Sequence, residues 1–306
     1  MPAEIRKSSA EHGTGKQPKQ EGQDAVAHTT HTTEHPPKDH WTQSAYNASA
    51  SFVPLLTHEI MQWLDPQPTD TILDLGCGDG PLTAKIAERC LHVDGFDASQ
   101  NFIEAAISSY SDALNLQWHV LDCRFLESSE VVMAARYHKV FSNAALHWVL
   151  RDTSTRMSVL RGVYKALKSG GEFVFEMGGA GNVADVHAVL LSALVHQGVS
   201  IEKARQACPW FFPSERLMKN MLEGVGFQVL RSKLEYRPTL LTTNENGGLQ
   251  GWVRLMGAQF LEVLDADEKK EVVMREVCDV LETVLKHEED GSMWLGYVRL
   301  KVIARK

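Results

Sequence analysis

The stretch Thr71-Ile72-Leu73-Asp74-Leu75-Gly76-Cys77-Gly78-Asp79-Gly80 decides how this chain is read. Its first five residues form a short apolar run of the kind that makes a buried strand. The run breaks into a glycine-rich turn, and a helical pattern from Pro81 to Cys90 follows at once. Glycines in such a turn let the backbone bend sharply and approach a ligand where a Cβ would collide. A dinucleotide loop calls for G-x-G-x-x-G and a helix N-terminus free to hold pyrophosphate. Here the spacing is G-x-G-x-G, and Asp74 and Asp79 lie inside or beside the turn. A carboxylate a few ångströms from a phosphate is repulsive, whereas beside an ammonium, a sulfonium or ribose hydroxyls it is favourable.

The strands that follow carry the same signature outward. Residues His92 to Phe96 form a second strand-like run ending in Asp97, 21 positions after Gly76. That is close to the ~20-residue offset at which an acid at the end of a second strand meets ribose hydroxyls. A third run, Leu116 to Leu121, ends in Asp122-Cys123, and a fourth, His138 to Phe141, ends in Ser142-Asn143. Four strands, each ending in a polar residue, are what a ligand site at the carboxyl ends of a parallel sheet requires. A ligand with ribose hydroxyls, a cationic sulfur and no phosphate fits these acids, and S-adenosyl-L-methionine has all three properties.

These segments resemble the class I S-adenosylmethionine-dependent methyltransferases, from about Trp41 onward. Asp74 to Gly80 (DLGCGDG) resembles that family's first motif, the acid in Gly95 to Ser99 (GFDAS) its second, and the Asp122 region its third. Ser142 to Trp148 (SNAALHW) is similar to the fourth strand in the subgroup containing trans-aconitate methyltransferase and malonyl-carrier-protein methyltransferase. Leu167 to Met177 resembles the turn and fifth strand beyond it. The resemblance implies an α/β fold. It is a Rossmann-like, doubly wound, seven-stranded and mostly parallel sheet with an antiparallel last strand. It implies that Asp74 and the backbone of Gly76, Cys77, Gly78 and Gly80 hold the methionyl part of the donor. Asp97, with Ala98 after it, faces the ribose. Asp122 and Cys123 contact the adenine, and Asn143 offers its backbone carbonyl to the donor's ammonium. The ordinary alternative for these acids and amides is turn chemistry, which Asp and Asn favour anyway.

Methyl transfer from a sulfonium is an in-line displacement by an already activated donor. The protein's task is to align the reacting atoms and exclude water, and a perturbed catalytic acid is not needed. His147 and Trp148 follow the fourth strand, where the methyl should lie. His147 is positioned to deprotonate a hydroxyl or thiol acceptor, to donate to a carboxylate, or only to cap a helix. Trp148 is either an apolar wall or core. Trp210, Phe211 and Phe212, bounded by prolines, either line an acceptor pocket or anchor a loop. Trp41 and Tyr46 either wall the donor pocket from a lid helix or pack on the sheet edge. Arg151, Arg254 and Arg299 are candidates to pair with an acidic acceptor, since guanidinium matches carboxylate geometry.

The rest of the chain sets bounds. Residues 1–40 hold few large apolar side chains and read as a disordered polar tail. Four of its histidines, His28, His31, His35 and His40, read either as a loose metal-binding tract or as part of a solvated tail, and their spacing, with no matching acids or cysteines, favours the tail. Residues 41–306 read as one methyltransferase domain. Helix-rich inserts near 180–213 and 239–291 cap the carboxyl edge of the sheet. Helices are expected at Asp152 to Lys168, Asn182 to Gly198, Glu215 to Glu223, Gly247 to Phe260 and Asp265 to Glu289. Strands are expected at Glu172 to Met177, Phe227 to Tyr236 and Trp294 to Ala304. A net charge of −8 and a pI near 5.9 argue against a nucleic-acid partner. Five scattered cysteines point to a reducing, cytoplasmic setting, and no apolar run approaches membrane-spanning length. The expected function is O-methylation of a carboxylate or hydroxyl on a small molecule. The alternatives are N-, S- or C-methylation of a specialised metabolite, or a catalytically silent donor-binding regulator. Asp79 and the shortened glycine spacing disfavour a nicotinamide-dependent oxidoreductase.

Overall fold

A computed structural model describes residues 57–130, 135–243, 245 and 247–306. The polar segment 1–40 and the aromatic pair Trp41 and Tyr46 lie outside the described residues. The described chain runs α1 (His58–Leu64), β1 (Thr71–Leu75), α2 (Pro81–Ala87), β2 (His92–Asp97), α3 (Gln100–Ser109) and β3 (Leu116–Val120). A 3-10 turn (Cys123–Ser128) leads to β4 (Tyr137–Asn143), α4 (Leu146–Val149), α5 (Arg156–Ala166) and β5 (Leu167–Gly178). Next come α6 (Ala184–His196), α7 (Ile201–Gln206), α8 (Glu215–Val225) and β6 (Gln228–Leu240). Helices α9 (Gly248–Met256), α10 (Ala258–Leu261) and α11 (Asp267–Leu285) precede β7 (Trp294–Arg305).

The seven strands form one sheet in the order β3-β2-β1-β4-β5-β7-β6. Strands β1 to β5 pair in parallel, and β7 runs antiparallel to both β5 and β6. Strand order reverses between β1 and β4, the position where open α/β sheets leave a crevice for ligands.

Parallel strands buried on both faces read as near-continuous apolar runs, which is what TILDL and FVFEM are. Leu73, Leu75, Val140, Phe173, Phe175 and Leu300 pack on one face against α5 and α8. Ile72, Val93, Phe141 and Val174 pack on the other against α1 and α2. A further core joins α6, α7, α9, α10 and α11 around Trp210, Trp252 and Phe260, and meets β7 at Leu295.

Several element bounds differ from the expected ones: the run Gly247 to Phe260 is split at Gly257 into α9 and α10, α11 stops at Leu285, and the junction of α5 with β5 shifts. Helix α5 spans Arg156–Ala166, shorter than Asp152 to Lys168, because the backbone is already extended at Leu167. The Ser169-Gly170-Gly171 bend belongs to β5, since Gly170 N–H donates to Lys306 O (3.1 Å) and Lys306 N–H to Gly171 O (2.9 Å). The end of the chain pairs with the bend and draws it into the sheet.

At the amino-terminal end of the sheet one buried carboxylate ties three strands. Asp94 on β2 accepts from Tyr137 Oη (2.7 Å), Arg136 Nη2 (2.9 Å), His119 Nε2 (3.1 Å) and His92 Nε2 (3.2 Å). Among the described residues no helix is long and apolar enough to cross a membrane, and no group of three or more His, Cys, Asp or Glu is arranged to hold a metal.

Candidate functional site

Strand β1 leaves the sheet at Gly76, whose φ is +75°. A Cβ there would stand 2.1 Å from the Cβ of Ala145, a distance real contacts do not show. The first glycine is therefore demanded by the turn after β4, which crosses directly over the turn after β1. That second turn bends through Ala144 at φ +58°, a left-handed alanine costing ~1–2 kcal/mol. Ala144 N–H donates to Glu176 O (2.9 Å) and holds it there. Gly80, at φ +90°, lies under the Trp118 indole, which a Cβ would meet at 2.5 Å. Gly78 differs: its φ is +57°, and nothing lies within 4 Å of where its Cβ would be.

Asp97 joins the first two loops. Its Oδ2 accepts Gly78 N–H (3.0 Å) and its Oδ1 accepts Ser99 N–H (2.9 Å). Gly76 N–H and Cys77 N–H both donate to Phe96 O, at 2.7 and 3.0 Å. Ala98, next in the chain, is exposed. Beneath the turn Asp74 is buried and accepts from Thr83 Oγ1 at 2.6 Å, which fastens β1 to α2. Burial raises the Asp74 pKa to about 7; the Thr83 bond opposes the rise and the nearby Asp97 charge adds to it. The buried thiols of Cys77 and Cys123 are pushed up, first by burial and then by the surrounding carboxylates, so both stay protonated at neutral pH. Cys123 also lies against the backbone of Gly76. Asp122 caps the 3-10 turn, accepting Arg124 N–H (2.9 Å), and binds the Arg124 side chain through Nε (2.8 Å).

At the end of β4, Asn143 stands opposite Glu176 of β5, and its buried Oδ1 has no hydrogen-bond partner among the described residues. His147 is 7% exposed, accepts Gly178 N–H at Nδ1 over a long 3.4 Å, and holds Phe211 N–H with its carbonyl (2.9 Å). Burial, reinforced by the Arg299 charge, drives its pKa well below the usual histidine value, so the ring is neutral. With Nδ1 accepting, the proton is assigned to Nε2.

The aromatic residues separate by direction. Trp210 stacks on Phe212 (centroids 5.6 Å apart) and meets Phe260 edge-on, so it is core to the helical cluster. Phe212 and Trp148 in turn flank His147 at 5.7 and 5.5 Å. Phe211 faces the opposite way, under the Arg156 guanidinium at 3.6 Å and against the sheet core. Neighbouring residues in extended chain alternate sides, which splits the trio. The arginines separate too. Arg151 binds Gln259 and Gln206 O, and Arg254 binds the exposed Glu271. Arg299, 4% exposed, lies inside the sheet against Glu176.

An ionic network around Arg299 escapes sequence reading. Glu176 accepts from Arg299 Nε (3.1 Å) and from Arg237 Nη2 (2.6 Å) and Nη1 (3.3 Å). Lys301, 1% exposed, binds Glu235 (2.6 Å) and Glu59 of α1, and Lys233 also reaches Glu59 (3.1 Å). The only signal is a Glu within FVFEM and Arg and Lys alternating with apolar residues in Val298 to Val302.

The residues 72–171 match the family model "Methyltransferase domain". The uncharacterized methyltransferase C70.08c of Schizosaccharomyces pombe is 36% identical over 270 residues, covering 88% of this chain and 99% of that protein. Among solved structures, a Bacillus halodurans C-125 protein superposes with a TM-score of 0.55 at 18% identity, covering 82% of this chain and 99% of that one. The [4+2]-cyclase SpnF superposes with a TM-score of 0.50 at 13% identity, covering 82% of this chain and 80% of that one. The fold thus extends to a cyclase, and folds by themselves do not name reactions. Nearly full-length identity to a methyltransferase does what the fold cannot. With that relative, the matching domain and the sheet order described above, the chain belongs to the class I S-adenosylmethionine-dependent methyltransferases.

Proposed function

We propose that this enzyme methylates an oxygen of a small molecule, with a carboxylate favoured over a hydroxyl, near the trans-aconitate and malonyl-carrier-protein subgroup that Ser142 to Trp148 resembles. The observation that carries the reading is His147. It is buried at the strand ends, neutral, and assigned a proton on Nε2. A ring so hard to protonate is a poor base for a hydroxyl, whereas a carboxylate needs no base and is steadied by an N–H donor. When bound, S-adenosylmethionine supplies a sulfonium methyl whose bond to sulfur breaks as the bond to the acceptor oxygen forms, the electron pair remaining on sulfur. The remaining work belongs to the protein.

The residues present fit this donor. Gly78 borders open space where a side chain would intrude, and two backbone N–H groups hold Asp97 at the end of β2, where the ribose hydroxyls are proposed to reach it. Asp122, whose carboxylate is engaged by Arg124, would have to yield one of those contacts to accept from an exocyclic amine beside Cys123. The carbonyl of Asn143 is the proposed partner of the ammonium, and Asp74 sets the turn from below. In this reading residues 180–213 and 239–291 cap the site, with Phe212 and Trp148, the two rings beside His147, walling the methyl.

Two outcomes follow. A bound cation favours ionised Asp74, so donor binding should release a proton. Affinity should rise up to tenfold per pH unit between about pH 5.5 and 7 and then level off. Calorimetry in buffers of different ionisation enthalpy measures both, and Asp74→Asn should flatten the profile. His147→Ala should lower kcat/KM for the acceptor roughly 10- to 100-fold with donor affinity intact, and His147→Gln should recover part of it. Equal losses in both variants would remove the N–H donor role. Incubation with isotopically labelled donor and a metabolite extract, read by mass spectrometry, tests the acceptor. Base-labile label supports a methyl ester, and label stable to base in every product rejects it.

A further inference from the structure

We propose that Arg299 anchors the acceptor by gripping a second, non-reacting carboxylate, so that the substrate is a small dicarboxylic or hydroxycarboxylic acid. The proposal rests on the oxygen-acceptor reading above and narrows it.

Arg299 sits opposite Gly178 in the β5–β7 register, at the carboxyl end of β5, the end where His147 receives Gly178 N–H. The Arg299 charge also opposes protonation of the His147 ring, second to burial. The side chain is 5% exposed, yet it spends only Nε on the protein, donating to Glu176. Among the described residues neither terminal Nη has a hydrogen-bond acceptor. Neither Nη is among the buried side-chain atoms that lack a partner, so the fork reaches a space open to solvent, where a ligand can meet it. Glu176 does not satisfy it, since that carboxylate is already forked by Arg237.

Both lysines are engaged by Glu59 and Glu235, while Arg237 and the Nε of Arg299 meet on Glu176. A two-oxygen anion matches the open Nη pair in geometry and sign. The Tyr297 ring, 5.5 Å from the guanidinium, backs it, and Trp252 Nε1 fixes the Tyr297 hydroxyl at 2.7 Å. A carboxylate gripped through both oxygens has its lone pairs committed and is a weak nucleophile. The oxygen that takes the methyl must therefore belong to another group of the same molecule. The buried Asn143 Oδ1, without a partner among the described residues, lies on the same edge on β4, with β5 between it and β7, and would receive a donor from the bound molecule.

The test uses the full chain with labelled S-adenosylmethionine and a panel of four- to six-carbon dicarboxylic and hydroxycarboxylic acids, each beside its mono- and diamide. The expected result is methylation of at least one acid, with the monoamide, which keeps one carboxylate to take the methyl and has none for Arg299, poorer by on the order of 100-fold in kcat/KM. Arg299→Met should raise KM for that acid on the order of 100-fold while changing kcat far less, and Arg299→Lys should recover part of the loss. Donor affinity measured on each variant shows that it is folded. Should Arg299→Met not fold, the acid-against-amide comparison decides without any variant. Base-labile label on an acceptor whose KM ignores both the amide change and Arg299→Lys would overturn the anchor and leave the oxygen reading standing. Label stable to base in every product, with donor binding intact, would overturn both.

Discussion

Replacing Asp97 with asparagine should weaken S-adenosylmethionine binding by on the order of 10²- to 10³-fold, the largest functional loss expected of a single substitution in this chain. Hydrogen bonds to a charged acceptor contribute about 1.5–3 kcal/mol each, and a ribose diol offers two donors. The change also reaches the glycine loop. Asp97 uses one oxygen for Gly78 N–H and the other for Ser99 N–H. An amide must turn its own NH₂ toward one of those donors and lose that contact. Either the Gly78 turn or the Ser99 turn then loses its tie to the Asp97 side chain. Titration calorimetry with S-adenosylmethionine and S-adenosylhomocysteine should show the same loss for both, because the ribose is common to them. A loss confined to S-adenosylmethionine would place Asp97 near the sulfonium and away from the sugar.

The second large effect concerns stability at the far end of the sheet. Asp94→Ala should cost about 3–4 kcal/mol, read from urea unfolding at neutral pH, with a fall in Tm of roughly 10 °C. Four donors converge on this carboxylate, and Tyr137, 1% exposed, cannot turn its hydroxyl to water. Burial by itself would raise the Asp94 pKa. The hydrogen bonds from His119, Tyr137 and His92 together outweigh burial and bring it down to about 2. The folded pKa thus lies below the unfolded value of 3.8, so the ionised form stabilises the fold above pH 4. That contribution, about 2 kcal/mol at neutral pH, disappears as pH falls through 2. The gap between wild type and Asp94→Ala should narrow over that window. Donor affinity should stay close to wild type, since Asp94 lies at the opposite strand ends from Asp97. A variant as stable as the parent would show that the four donors find water as readily as the carboxylate.

The donor side was legible because it is built from short-range features. Strand, turn and helix follow one another within Thr71 to Cys90, and each acid stands at the end of its own apolar run. Gly76 and Gly80 could be read as necessary, although only the fold shows what they make room for: Ala145 from the β4 turn in one case, Trp118 from β3 in the other. His147 was visible as a residue of interest. Its state was not, since neutrality comes from burial and from Arg299, 152 positions away in sequence. The trio Trp210 to Phe212 read as one cluster, and the extended backbone divides it between two cores.

Local order and chemical type along the chain were enough to establish a parallel α/β sheet whose acid-tipped strands suit a cationic, phosphate-free donor. Neither property needs knowledge of which distant segments meet. The acceptor end is different. Arg299 and Lys301 alternate with apolar residues as they would on a strand with one face in water. Placing β7 between β5 and β6, with Glu59 of α1 laid over it, puts that face inside the molecule instead. Burial of a charge is a property of the surroundings, and here the surroundings arrive from residues 59, 176 and 235, which nothing in the local sequence connects.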